Sequence, residues 1–180
     1  MKTPDDPRAE LVAKLRWLKL PSMARAADEL LAQAADQNLS ALEVLHRMCD
    51  EERQGRIQRS VERRIKAAGF PEINTVDAFD FSFAPCRKKL RARFLSLLDL
   101  GFLKHGANPL FLGVPGAGKT FLSRALAYRA CQSQKRVVIT TAARMLNELS
   151  GAEMHGDLER KVRRYAHADL LVIDDFATLA

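Results

Sequence analysis

The sequence predicts an α/β fold, with a parallel sheet preceded by an all-helical segment, and three observations carry that prediction. Apolar residues recur at helical spacing through the first 70 positions. After position 108, short apolar runs alternate with helical patterns, as they do when strands lie parallel and helices cross between them. Between one such run and a helix stands a glycine-rich loop, Gly113 to Thr120. The patterning divides the chain into a helical segment at 1–70, a linker with a basic helix at 71–107, and a sheet-bearing core at 108–180.

Leu11, Leu15 and Leu18 mark a first helix that Pro21 interrupts. A second runs from about Ser22 to Asp36, with Leu30 and Leu31 on its apolar side, and Asn38-Leu-Ser40 breaks it. Ser40-Ala-Leu-Glu43 fits a capping box, and the long helix it opens ends near Gly69, with Pro71 beyond. Phe79-Asp-Phe-Ser-Phe83 alternates strictly, which predicts a short extended piece packing its rings onto the core. A basic helix is expected from Cys86 to about Lys104. Then come a buried strand at Leu110-Phe-Leu112, a helix at 119–132, a strand at 136–141, two short helices, and a strand at Leu170-Leu-Val-Ile173.

Composition narrows the class. Of the 180 residues 47% are hydrophobic, too many for wholesale disorder, and no apolar run reaches the roughly 18 residues of a membrane span. Neither an apolar leader nor a membrane segment is visible, so a cytoplasmic protein is expected. Cys49, Cys86 and Cys131 form no close pair, and His46, His105, His155 and His167 are scattered, so no structural metal is expected. His105 and Cys131 read as structural. The net charge is +7, and residues 53–93 hold 11 Lys/Arg against 4 Asp/Glu. A concentrated basic block points to a polyanionic partner.

Gly113-Val114-Pro115-Gly116-Ala117-Gly118-Lys119-Thr120 matches G-x-x-x-x-G-K-[ST] in full, between a predicted strand and a predicted helix. The glycines let the loop turn its amides inward around an anion, and the helix adds the positive end of its dipole. Lys119 is placed to reach the β- and γ-phosphates of a nucleoside triphosphate, the Thr120 hydroxyl to ligate Mg²⁺, and Phe121 to flank the site. A carboxylate at the tip of a buried strand completes such a site. Leu170-Leu-Val-Ile-Asp174-Asp175 supplies it: Asp174 to hold Mg²⁺ through water, Asp175 to polarise the attacking water. ATP with Mg²⁺ is the expected cofactor, with Lys119 and Asp175 as the catalytic pair.

With these motifs in hand, the chain resembles the IstB-like ATPases, helpers of insertion-sequence transposition related to the DnaC-type helicase loaders and to the AAA+ class. The likeness rests on Leu18-Lys-Leu-Pro-Ser-Met, Glu62-Arg-Arg-Ile-Lys-Ala-Ala-Gly-Phe-Pro, Phe79-Asp-Phe-Ser-Phe, the glycine loop, Thr140-Thr-Ala-Ala, and Asp169-Leu-Leu-Val-Ile-Asp-Asp-Phe. It implies a P-loop ATPase sheet, incomplete at the C-terminus, that assembles on double-stranded DNA, forms homo-oligomers, and works with the transposase of the same element. The family usually has Glu where this chain has Asp175. It also continues past Ala180 with a sensor strand, set between the loop strand and the Asp174 strand, and an arginine finger. The expectation is therefore weak nucleotide binding and crippled hydrolysis.

Arg53, Arg56, Arg59, Arg63 and Lys66 fall at spacings that share one helix face, and suit a row of DNA phosphates. Arg87, Lys88, Lys89, Arg91 and Arg93 form a second cluster, and Arg160, Lys161, Arg163 and Arg164 a third. A solvated basic face is the plainer reading of each. A helicase loader, a small-molecule kinase, and a non-catalytic remnant of a mobile element are the competing functions.

Overall fold

The computed structural model describes residues 6–175, with only the backbone at Cys86. The expectations touching Met1 to Asp5 and Phe176 to Ala180 lie outside these residues. The chain separates into two compact units, 1–60 and 61–180.

The first unit is helical. Helix α1 spans Pro7–Trp17, α2 spans Pro21–Gln37, and α3 begins at Ala41 and runs to Ala68 in the second unit. Pro21 opens α2 rather than merely ending α1, since proline at the first helical position gives up an amide that would be unpaired anyway. Asn38 closes α2 in the left-handed conformation. The capping box forms as expected: the Ser40 amide donates to Glu43 Oε2 at 2.8 Å, and the Glu43 amide to Ser40 Oγ at 3.3 Å. Leu15, Met23, Ala24, Ala27 and Met48 make the core, while Leu18 lies exposed.

Residues Leu18 to Met23 owe their conformation to α3. No side chain near the start of α2 caps it. Instead the buried carboxylate of Glu52 accepts from the amides of Ser22 at 2.8 Å and Met23 at 3.3 Å. Arg56 donates to Glu52 at 3.0 Å, and Arg59 bridges Glu52 at 2.9 Å and the Ser22 hydroxyl at 2.8 Å. Burial pushes the Glu52 carboxyl up, but the Arg56 hydrogen bond, the two amides and the Arg59 charge together hold it below the usual carboxylate value.

A lowered folded value stabilises above the unfolded value, about 4.3, and that contribution disappears as pH falls through the folded one. Acidification below about pH 4 is therefore expected to loosen α2. In Glu52→Gln the unit should be less stable at neutral pH and lose this acid sensitivity, read as amide exchange in α2; an unchanged acid profile would contradict it.

In the second unit α3 ends at Gly69 in a positive-φ turn. A short turn follows at Val76–Ala78, then α4 (Pro85–Leu95), α5 (Gly101–Lys104), α6 (Lys119–Gln132), strand β1 (Val137–Thr141), α7 (Ala142–Met154), α8 (Leu158–Ala166) and strand β2 (Leu170–Asp174). The two strands pair in parallel, Val137 opposite Leu170 through Thr141 opposite Asp174. Thr141 also caps α7, accepting from the Arg144 amide at 3.2 Å. Phe94, Leu122, Ala125, Leu126, Ala130, Cys131, Val137 and Ile139 form the core, with Phe79 at its margin. Burial raises the Cys131 thiol to about 11, so it packs as a small apolar group.

Three expectations are corrected here. Leu110-Phe-Leu112 is not a strand: no strand among the described residues lies beside it, and Leu110 and Leu112 are 76% and 82% exposed. A strand exists only by pairing, so an apolar run without a neighbour stays irregular. The basic helix expected from 86 to 104 ends at Leu95 and tightens into a 3-10 turn at Ser96–Asp99; the chain then turns at Leu100, which is buried in the left-handed conformation while Asp99 accepts from the Gly101 amide. The Phe79–Phe83 segment is a turn, because Asp80 Oδ1 takes both the Ser82 amide at 2.7 Å and its hydroxyl at 2.6 Å. Phe79 and Phe81 still reach the core, with ring centroids 4.7 Å apart; Phe83 stays exposed.

Candidate functional site

The loop from Gly113 to Gly118 leads directly into α6 at Lys119. Gly116 and Gly118 hold φ of +76° and +96°, which disfavour any side chain with a Cβ. No side chain caps α6, so its first amides are left to an outside acceptor. Lys119 Nζ donates to the carbonyls of Gly113 at 2.9 Å and Val114 at 3.0 Å, and the Ala117 amide also donates to Val114 at 3.2 Å. An ammonium resting on neutral carbonyls can exchange them for phosphate oxygens, which are stronger, charged acceptors. Gly113, Val114, Pro115 and Gly116 are exposed; Ala117, Gly118, Lys119, Thr120 and Phe121 are half-buried.

Strand β2 brings its carboxylate to this helix start. Asp174 Oδ1 accepts from the Thr120 hydroxyl at 3.0 Å, across 54 residues of sequence. Two hard oxygen donors converging beside a phosphate-sized loop fit Mg²⁺, whose other ligands would be phosphate and water. Arg124, one turn along α6, stands 3.7 Å from Asp174 Oδ2, with its Nε enclosed and unbonded. Asp175 is exposed past the strand end, with φ of +51° and its amide donating to Asp174 Oδ1 at 3.2 Å. The structure thus brings Lys119, Thr120 and Asp174 together, and sets Asp175 at the rim.

Sequence reading missed what supports the loop from outside. The Phe79 ring packs against Gly118 and Phe121, the latter at 5.3 Å between centroids. Arg87 lies over both Phe79 and Phe83, at 4.8 and 4.7 Å, and donates to the Gly116 carbonyl at 3.1 Å and the Asp80 carbonyl at 3.4 Å. An arginine four residues after Phe83, on a helix opened by Pro85, was the available signal.

The three basic clusters differ in how much of their charge is already matched. On α3, Arg56 and Arg59 hold Glu52 and Arg53 pairs with Asp50, leaving Arg63 and Lys66 exposed outside these ion pairs. Glu52 lies among these positions on α3, and Arg59 also reaches Ser22 at the start of α2. On α8, Arg160 pairs with Asp157, Arg163 with Glu159, and Lys161 and Arg164 with Glu148.

A glycine loop feeding a helix N-terminus, with a carboxylate at the end of a parallel strand facing it, is compatible with the P-loop class of nucleotide-binding domains. The mostly helical unit with its small parallel sheet is compatible with that class. The family model described as IstB-like ATP binding protein matches residues 13–180, and the chain belongs to this family. It is 34% identical over 172 residues to a protein of insertion sequence IS21 from Pseudomonas aeruginosa, named as ATP-binding. Similarly named insertion-sequence proteins of Geobacillus stearothermophilus and Mycobacterium tuberculosis (strain ATCC 25618 / H37Rv) are 34% identical over 162 residues and 31% over 163. These matches cover 94%, 90% and 91% of this chain, but only 63%, 64% and 64% of the relatives. The chain therefore spans about two thirds of their length. No helix among the described residues is long and apolar enough to cross a membrane.

Proposed function

We propose that the chain binds ATP with Mg²⁺ at Gly113 to Thr120 and serves transposition as an ATP-dependent helper, engaging double-stranded DNA and the transposase of its element. The observation that carries the reading is the convergence of Lys119, Thr120 and Asp174 at the start of α6. Lys119 binds the terminal phosphates, the loop amides orient them, and Thr120 and Asp174 hold the metal. Mg²⁺, when bound, supplies neutralisation of the phosphate charge. Asp174 fixes the Thr120 hydroxyl by accepting from it, and Asp175 at the rim is the base candidate for a water approaching the terminal phosphate.

The names of the insertion-sequence relatives support ATP as the nucleotide and a transposase as the partner, and the basic surface supports DNA. A homo-oligomer and a cytoplasmic location accord with the same reading. Mg·ATP affinity measured with and without duplex DNA, and with a panel of small metabolites, tests it. Reciprocal strengthening of ATP and duplex binding is expected; competition by a metabolite, with no response to DNA, would replace the helper by a small-molecule kinase.

A further inference from the structure

We propose that α4 is a nucleic-acid contact helix whose occupancy is read at the phosphate loop through Arg87. Lys88, Lys89, Arg91 and Arg93 are exposed and, among the described residues, none of them takes part in an ion pair. All four cations of α8, and Arg53, Arg56 and Arg59 of the seven on α3, are held by neighbouring carboxylates. Unmatched charge is what a polyanion gains from meeting; a cation already in a pair must first be released. Positions 88 to 93 rise about 7.5 Å along the helix axis. A duplex carries roughly four phosphate charges over that length, so the two linear charge densities are comparable. Leu90 and Phe94 pack inward and leave these four side chains around the solvent half of α4.

Arg87, in the first turn of the same helix, faces the loop. Its guanidinium is gripped between Phe79 and Phe83 and donates to Gly116. The next amide, Ala117, donates to the Val114 carbonyl, which also receives Lys119 Nζ. A continuous series of contacts thus runs from α4 through the Gly116–Ala117 peptide to the ammonium group. Nucleotide binding draws Lys119 off those carbonyls, and any ligand that shifts or stiffens α4 alters how easily the loop allows it. By linkage the effect is reciprocal: nucleotide changes the affinity of α4 for duplex by the same factor. Arg87 acts here as a positioning residue. The coupling rests on the loop taking a nucleotide; the contact surface on α4 does not.

The test uses the full chain with a labelled duplex and a fluorescent ATP analogue. Lys88→Gln/Lys89→Gln/Arg91→Gln/Arg93→Gln should weaken duplex binding more than tenfold at low salt and flatten its log–log salt slope by about 3–4. Arg53→Gln/Arg63→Gln/Lys66→Gln should cause a smaller loss. Arg87→Ala should weaken nucleotide binding several-fold and abolish its response to duplex. Millimolar guanidinium ion should restore part of that response in Arg87→Ala and do nothing to the wild type, an outcome that a purely structural role would not give. A full salt slope in the α4 variant, with the slope lost in the α3 variant, overturns the contact surface. Wild-type nucleotide affinity and duplex response in Arg87→Ala overturn the coupling alone. Duplex binding with no nucleotide binding by the wild type overturns the ATP reading, and the coupling with it.

Discussion

Gly55→Ala is expected to destabilise the helical unit, although helix propensity alone predicts the opposite. Alanine is favoured over glycine within a helix by about 1 kcal/mol. At this position, however, a Cβ would lie 1.9 Å from Ser22 Oγ and 2.8 Å from Ser22 Cβ. Rotating the serine removes the first conflict but not the second, and it gives up the hydrogen bond from Arg59. The helices must therefore separate, and separation withdraws Glu52 from the amides of Ser22 and Met23, leaving a buried carboxylate less well satisfied. Overpacking and a weakened buried charge network together outweigh the propensity gain, for a net loss of about 2–4 kcal/mol. Hydrogen exchange of the α2 amides reads the unit directly; slower exchange in Gly55→Ala would show that helix propensity wins and that the close approach is not needed.

Gly118→Ala is the second large effect, and it joins stability to binding. The φ of +96° costs a residue with a Cβ about 1–2 kcal/mol. The added carbon would also stand 2.5 Å from Phe79 Cε2 and 2.8 Å from its Cζ. That ring cannot swing aside freely, because Phe81, Phe121 and Arg87 hold it on other sides. With overpacking of about 1–3 kcal/mol added, the loop is expected to move, and nucleotide affinity should fall at least tenfold with a lower Tm. Phe79→Ala in the same chain removes the contact but not the backbone strain, so the double variant should recover part of the loss. Full recovery would assign everything to the ring, and an unperturbed Gly118→Ala would mean that the loop does not need this geometry.

The parts of the molecule that were legible in its sequence are those whose cause is local. The capping box at Ser40 and Glu43, the end of α3 at Gly69 and the bounds of α6 follow from residues within a few positions of each other. The loop is legible for the same reason, and β2 because an apolar run ending in carboxylates admits few other readings. What was not legible depends on distant partners. Leu110-Phe-Leu112 has the composition of a strand but, among the described residues, no strand beside it. The stripe from Arg53 to Lys66 looked like a row of free cations until α2 brought its N-terminus to Glu52, which spends Arg56 and Arg59 on an internal charge. Arg87 looked like one more basic residue; only the turn at Asp80 folds Phe79 and Phe83 around it and aims it at Gly116.

The chemistry proposed for the chain centres on an exchange of acceptors at Lys119, from two loop carbonyls to the phosphates of a nucleotide. Losing those charge-assisted bonds should cost about 1.5–3 kcal/mol. Titrating Mg·ATP into the folded wild-type chain and into Lys119→Ala tests it most directly. The predicted result is saturable one-to-one binding in the wild type, weakened by about 10- to 150-fold in the variant with its secondary structure intact. No binding by the wild type, or equal affinity in the two, would contradict it.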